Sequence, residues 1–213
     1  MALVVLLRGV NVGGHRTFRP TILAEELKHL GAVNIGAAGT FVIRQPVTRI
    51  RLRAELARRL PFDSEVMICT GREIVRLMSR NHFSDQPVRP DIVRFVSVLS
   101  GRARSNPSTP ISFPAGGKWL LKILAIENRF VVGVYRRHMR AISYLGELDK
   151  VVGRPATTRN WNTLAAIVRV LGDVEPDRPA RSDIHARREL LPDIAMEPSA
   201  PAHRRAPWLI AKR

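Results

Sequence analysis

The chain has 213 residues, 45% of them hydrophobic, one cysteine, and a formal charge of +17 with a pI near 11.6. That length allows one large domain or two small ones, and no apolar run approaches the roughly 18 residues of a membrane span, so no membrane partner is expected. Cys69, standing alone, excludes an internal disulfide and fits the reducing cytoplasm, while the charge attracts nucleic acid or anionic metabolites.

The charge is unevenly placed. Residues 172–213 hold 8 basic and 7 acidic side chains and so carry only +1 of the +17, which leaves the excess on the rest of the chain. Thirty of the 35 basic residues are Arg, which suits a GC-rich coding sequence that puts Arg wherever a solvated cation is tolerated, so the charge alone does not indicate a ligand.

In chain order, Ala2–Arg8 reads as a strand buried on both faces, since Met1–Leu7 has neither the basic lead nor the cleavage site of a secretory signal. Pro20 opens a helix whose stripe is Ile22, Leu23, Glu26, Leu27 and Leu30, and Gly31 ends it. Val33–Ile35 and Thr40–Ile43 are two short strands. Thr48 caps a second helix that is expected to bury Ile50, Leu52, Leu56 and Leu60. Glu65–Cys69 is a fourth strand, and Thr70-Gly71-Arg72-Glu73 is a capping box opening a third helix. The order β-α-β-β-α-β matches a ferredoxin-like α/β plait. After Pro87 and Pro90 a second unit follows, with strands near Ile92–Leu99, Trp119–Ala125 and Phe130–Tyr135, and helices near His138–Val151 and Trp161–Leu171. Gly101–Gly117 reads as a long surface loop. The expected fold is therefore α+β: two tandem ferredoxin-like subdomains with antiparallel sheets, 1–86 and 87–171, and a disordered, proline-rich extension over 172–213. That extension holds 6 of the 15 prolines and one apolar cluster at Trp208, which would suit a partner contact.

Two segments carry a resemblance: Leu6-Leu7-Arg8-Gly9-Val10-Asn11-Val12-Gly13-Gly14 with the later Gly36–Val42, and Gly153–Thr163 containing Arg159-Asn160-Trp161-Asn162. The pair resembles the bacterial family known as domain of unknown function 1697, over nearly all of residues 1–171. The resemblance implies two plait-like subdomains and no settled activity. Ala38-Gly39-Thr40 replaces the Ser-Gly-Asn common in that family, and His15-Arg16 stands where Lys is frequent.

Gly9 to Gly14 has the glycine spacing of a phosphate loop, but His15 and Arg16 follow where Lys and Ser or Thr should be, and Asn11 breaks the dinucleotide pattern. What remains is an anion-binding turn of exposed backbone N–H groups, or else a tight turn serving packing alone. A helix start near Thr158–Asn160, with Arg159 beside it, is a second anion-seeking feature. The candidate ligand site is Arg8, Asn11, Gly13, Gly14, Arg159 and Asn160, for a phosphorylated small molecule or nucleotide. The alternative is nucleic-acid binding through an arginine-rich surface, for which Arg49, Arg53, Arg58 and Arg59 share a helix side; the first strand lacks the stacking aromatics of an RNA-recognition motif. No cofactor is indicated. No histidine pair has metal-ligand spacing and nothing activates Ser143, Tyr144, Lys118 or Lys122, so no catalytic residue is assigned. Oligomeric state is open.

Overall fold

In the computed structural model, residues 1–10 and 18–172 are described. The expected extension beyond Gly172 lies outside them, as do Asn11, Gly13 and Gly14 of the candidate site. β1 (Leu3–Leu7) is buried at all five positions and lies inside a four-stranded antiparallel sheet ordered β2-β3-β1-β4. Its partners are β3 (Thr40–Ile43) and β4 (Val66–Thr70), with β2 (Ala32–Asn34) at the edge. Because side chains alternate along a strand, Leu3, Val5 and Leu7 join Leu23, Leu27, Leu52 and Leu56 in one core. α1 (Pro20–Glu26) and α2 (Arg49–Arg59) supply that cover. Val4 and Leu6 face the opposite way, into a second core.

Local chemistry sets the helix ends. α1 starts on Pro20 and runs through a 3₁₀ turn, Lys28–Leu30, to Gly31 in the left-handed region at φ 61°. Thr48 caps α2 by accepting from the Arg51 N–H at 3.2 Å. The Thr70 hydroxyl and the Glu73 carboxylate cap α3 (Gly71–Met78) reciprocally. Two expected core positions are corrected: Ile22 and Ile50 are exposed, at 52% and 84%. Glu55 takes the inward place on α2 instead, because Arg58 and Arg59 neutralise it.

The second sheet is also wholly antiparallel. It comprises β5 (Ile92–Leu99), β6 (Ile111–Phe113), β7 (Leu121–Glu127), β8 (Phe130–Arg136) and β9 (Ala156–Asn160), in the order β6-β7-β8-β5-β9. α4 (Met139–Val152) packs Leu148 and Val152 against Phe95, Leu99 and Leu121. α5 (Trp161–Gly172) sends Leu164 and Ile167 into the core that also holds Val4, Leu6, Met67, Val96 and Val132. Both sheets thus share one apolar interior, and the described residues fall in one compact unit.

Two further corrections concern this part. The Gly101–Gly117 loop contains β6, which pairs with β7. Of the two expected caps of the last helix, Thr158 and Asn160, only Asn160 serves, and the helix begins at Trp161 as expected. Thr158 lies in β9, its hydroxyl 2.6 Å from that of Ser97.

Candidate functional site

β1 delivers Arg8 and Gly9 to the end of the first sheet, where Gly9 turns with φ 66°. Directly beside it sits the Gly36–Gly39 turn. The Leu7 N–H donates to the Gly39 carbonyl at 2.8 Å, and a Cβ on Gly39 would meet Val10 Cγ2 at 2.7 Å. With φ at 67° as well, glycine is the residue that fits there.

Arg8 points its guanidinium at two carboxylates, Glu65 at the entry to β4 and Asp149 on α4. The hydrogen bond with Glu65 is the largest influence raising its pKa. Asp149 also accepts the Ala156 N–H at 2.9 Å, so one carboxylate joins α4, β9 and β1. Arg8 and Gly9 line a cavity of about 520 Å³ together with Asp63, Ser64 and Glu65.

Arg159 projects from β9 into the interior and is 7% exposed. Nε donates to the Thr40 hydroxyl at 2.7 Å, and Nη1 donates to the Thr157 hydroxyl and the Thr158 carbonyl, both at 2.8 Å. Nη2 donates to the Leu7 carbonyl at 2.8 Å and to the Ala38 carbonyl at 2.6 Å. Five donors meet five neutral acceptors, drawn from both sheets. No carboxylate pairs with it among the described residues, and burial pulls its pKa down to about 10, still charged at neutral pH.

Asn160 caps α5, its Oδ1 accepting the Thr163 N–H at 2.8 Å. It opens on a different cavity, of about 230 Å³, beside Arg94, Arg137 and Trp161. The structure therefore gathers Arg8 and Arg159 around the end of β1. Asn160 lies three residues along β9 from Thr157, roughly 10 Å away at strand rise.

Sequence reasoning missed Asp149 and a second buried guanidinium, Arg129. The latter donates to the Ile68 carbonyl at 2.8 Å and the Leu99 carbonyl at 2.7 Å, and so also ties the two sheets. Ties to main-chain oxygens leave no side-chain motif to find. Cys69 is buried in β4 and its thiol is pushed up to about 12 by burial, which removes it as a nucleophile at neutral pH. Among the described residues no three His, Cys, Asp or Glu side chains cluster as a metal site, and no helix is long and apolar enough to cross a membrane.

Among the described residues, two antiparallel sheets with five α-helices define an α+β protein. The chain belongs to the family described as "Protein of unknown function (DUF1697)", whose model matches residues 1–111. That span contains the Gly9–Gly14 segment, whereas the Arg159 segment lies beyond it. Among solved structures, the conserved bacterial protein SP0830 from Streptococcus pneumoniae is similar in fold, with a TM-score of 0.51 at 16% identity. The likeness covers 80% of this chain and 98% of that one. No curated protein matches.

Proposed function

We propose that the chain binds a small phosphorylated ligand, a metabolite or nucleotide, at the turn from Gly9 to Gly14, and does so in the cytoplasm. The observation that carries this reading is Arg159. A guanidinium held beneath the end of β1, with no carboxylate partner among the described residues, is a buried charge for which an anion would supply the missing counter-charge. The main-chain N–H groups of Gly13 and Gly14, with Asn11, would cradle the anion. Arg8 would exchange Glu65 or Asp149 for the ligand. Arg159 acts from below through its charge, since its N–H groups are taken. Asn160 contributes only to a ligand long enough to cross β9 to the start of α5.

The scaffold we infer is a pair of ferredoxin-like subdomains, 1–86 and 87–171. The strand order β2-β3-β1-β4 supports this for the first. The order β7-β8-β5-β9 repeats it in the second, with β6 and its loop where the first has α1.

The test is thermal unfolding of the full chain in rising phosphate, sulfate and adenosine monophosphate. Binding to the native state alone stabilises by about 2.7 kcal/mol at a hundredfold excess over Kd. The expected result is a rise in Tm with at least one of these anions, reduced in Arg8→Ala. A Tm that no anion moves overturns the reading.

A second reading, nucleic-acid binding, draws on α2. It exposes Arg49, Arg51, Arg53 and Arg58, while its one acidic residue, Glu55, is buried. Arg49 pairs with Glu73, and Arg58 and Arg59 pair with Glu55. Arg51 and Arg53 have no acidic partner among the described residues, so fewer cations are free than the helix pattern promised.

A further inference from the structure

A group of unneutralised cations lies away from Gly9, in a cleft between α3 and the turn joining β7 to β8. The cleft measures about 420 Å³, enough for a small organic ligand. Arg76, Arg80, Arg102 and Arg129 line it, together with Glu73 and Glu127. Both carboxylates are engaged already. Glu127 pairs with Arg80 at 2.7 Å, and Glu73 accepts the Thr70 N–H at 2.7 Å while meeting Arg49 at 3.5 Å.

The other three guanidiniums have no carboxylate partner among the described residues. Arg76 is exposed and its guanidinium has no ion-pair partner among the described residues. Arg102 reaches only the neutral Oδ1 of Asn128, at 3.1 Å. Arg129 is 9% exposed, its Nη groups are fixed to the Ile68 and Leu99 carbonyls, and its buried Nε has no acceptor. A buried, incompletely bonded cation costs stability unless something offsets it. Here it sits in the wall of a cleft that two exposed cations overlook, and Leu77 and Phe130 add an apolar side.

From this we infer that the cleft is a second anion site, taking a soluble phosphorylated molecule with at least two negative charges. Guanidinium forks match phosphate oxygens in pairs, and three cations without a carboxylate partner leave a single negative charge insufficient. The concave shape favours a free small molecule over a flat surface. None of the residues involved belongs to the Gly9 turn, so the inference stands or falls independently of that site.

Calorimetric titration of the full chain with pyrophosphate, at constant ionic strength, tests it. Arg76→Gln with Arg102→Gln removes two cleft charges. Arg51→Gln with Arg53→Gln removes the same charge from α2 and controls for the overall field. All four side chains are exposed, so both double variants fold. The expected result is binding that the cleft pair weakens at least about fivefold more than the α2 pair. No binding by the wild-type chain, or a smaller difference between the two pairs, overturns the inference.

Discussion

Arg159 shows how a single side chain can be both a structural tie and a source of field. Its five hydrogen bonds reach Thr40, Ala38 and Leu7 of the first sheet and Thr157 and Thr158 of its own strand, so removing them would loosen the seam between the sheets. Substitution by an apolar residue mixes two opposed effects, because it also relieves a buried charge. Arg159→Lys separates them: the charge stays, but three flexible donors replace a rigid fork of five. At least two carbonyl bonds would be lost or lengthened, at roughly 1–3 kcal/mol for each buried acceptor left unsatisfied. We expect a loss of about 3 kcal/mol in urea unfolding followed by tryptophan fluorescence, or roughly 9 °C in Tm. An unchanged midpoint would mean that the fork contributes nothing and that packing alone holds the seam.

At the scale of elements, β8 contains a glycine where a strand normally carries a branched side chain. A Cβ on Gly133 would lie 2.3 Å from the Lys122 carbonyl of β7 and 2.7 Å from the Phe95 ring of β5. The close approach coincides with the irregular register between Ile123 and Ala125 on β7. Gly133→Ala should therefore push β7 and the Phe95 ring apart and cost about 2 kcal/mol, read as a lower urea midpoint. A neutral result would show that the bulge absorbs a methyl group freely. The same comparison of element with sequence explains what could be read in advance. β1 is apolar throughout and Thr70-Gly71-Arg72-Glu73 satisfies its own caps, so local signals sufficed to place both. β9 reads Ala-Thr-Thr-Arg-Asn, and its inward residues are Thr157 and Arg159, so the usual apolar alternation is written in polar letters. β6 is three residues long and held by β7, a partner that no local pattern specifies. Ile50 fits the periodicity of α2 but is exposed, because burial there depends on which helix face meets the sheet. At the candidate site, the bend at Gly9 was legible in the sequence, and the pairing of Arg8 with Asp149 across 141 residues was not.

For the whole molecule, the decisive quantity is how the charge of +17 couples to a partner. A cation excess on a folded body raises the local concentration of any polyanion, so weak binding to RNA at low salt is expected whatever the protein does. The salt dependence separates a diffuse field from an interface. If the exposed Arg49, Arg51, Arg53 and Arg58 of α2, the first and last giving up their carboxylates, replace four phosphate counterions on single-stranded RNA, log K should fall against log salt with a slope of about −3. Arg51→Gln with Arg53→Gln should then make that slope shallower by about 1.4, because two contacts are gone. Fluorescence anisotropy of a labelled RNA between low and physiological salt measures both. A steep slope that the α2 substitutions leave unaltered would mean that the nucleic acid sees the total charge and no particular face. The two proposed anion sites would then be the better account of the buried part of that charge, since Arg159 and Arg129 are held within the fold, out of reach of a polymer backbone.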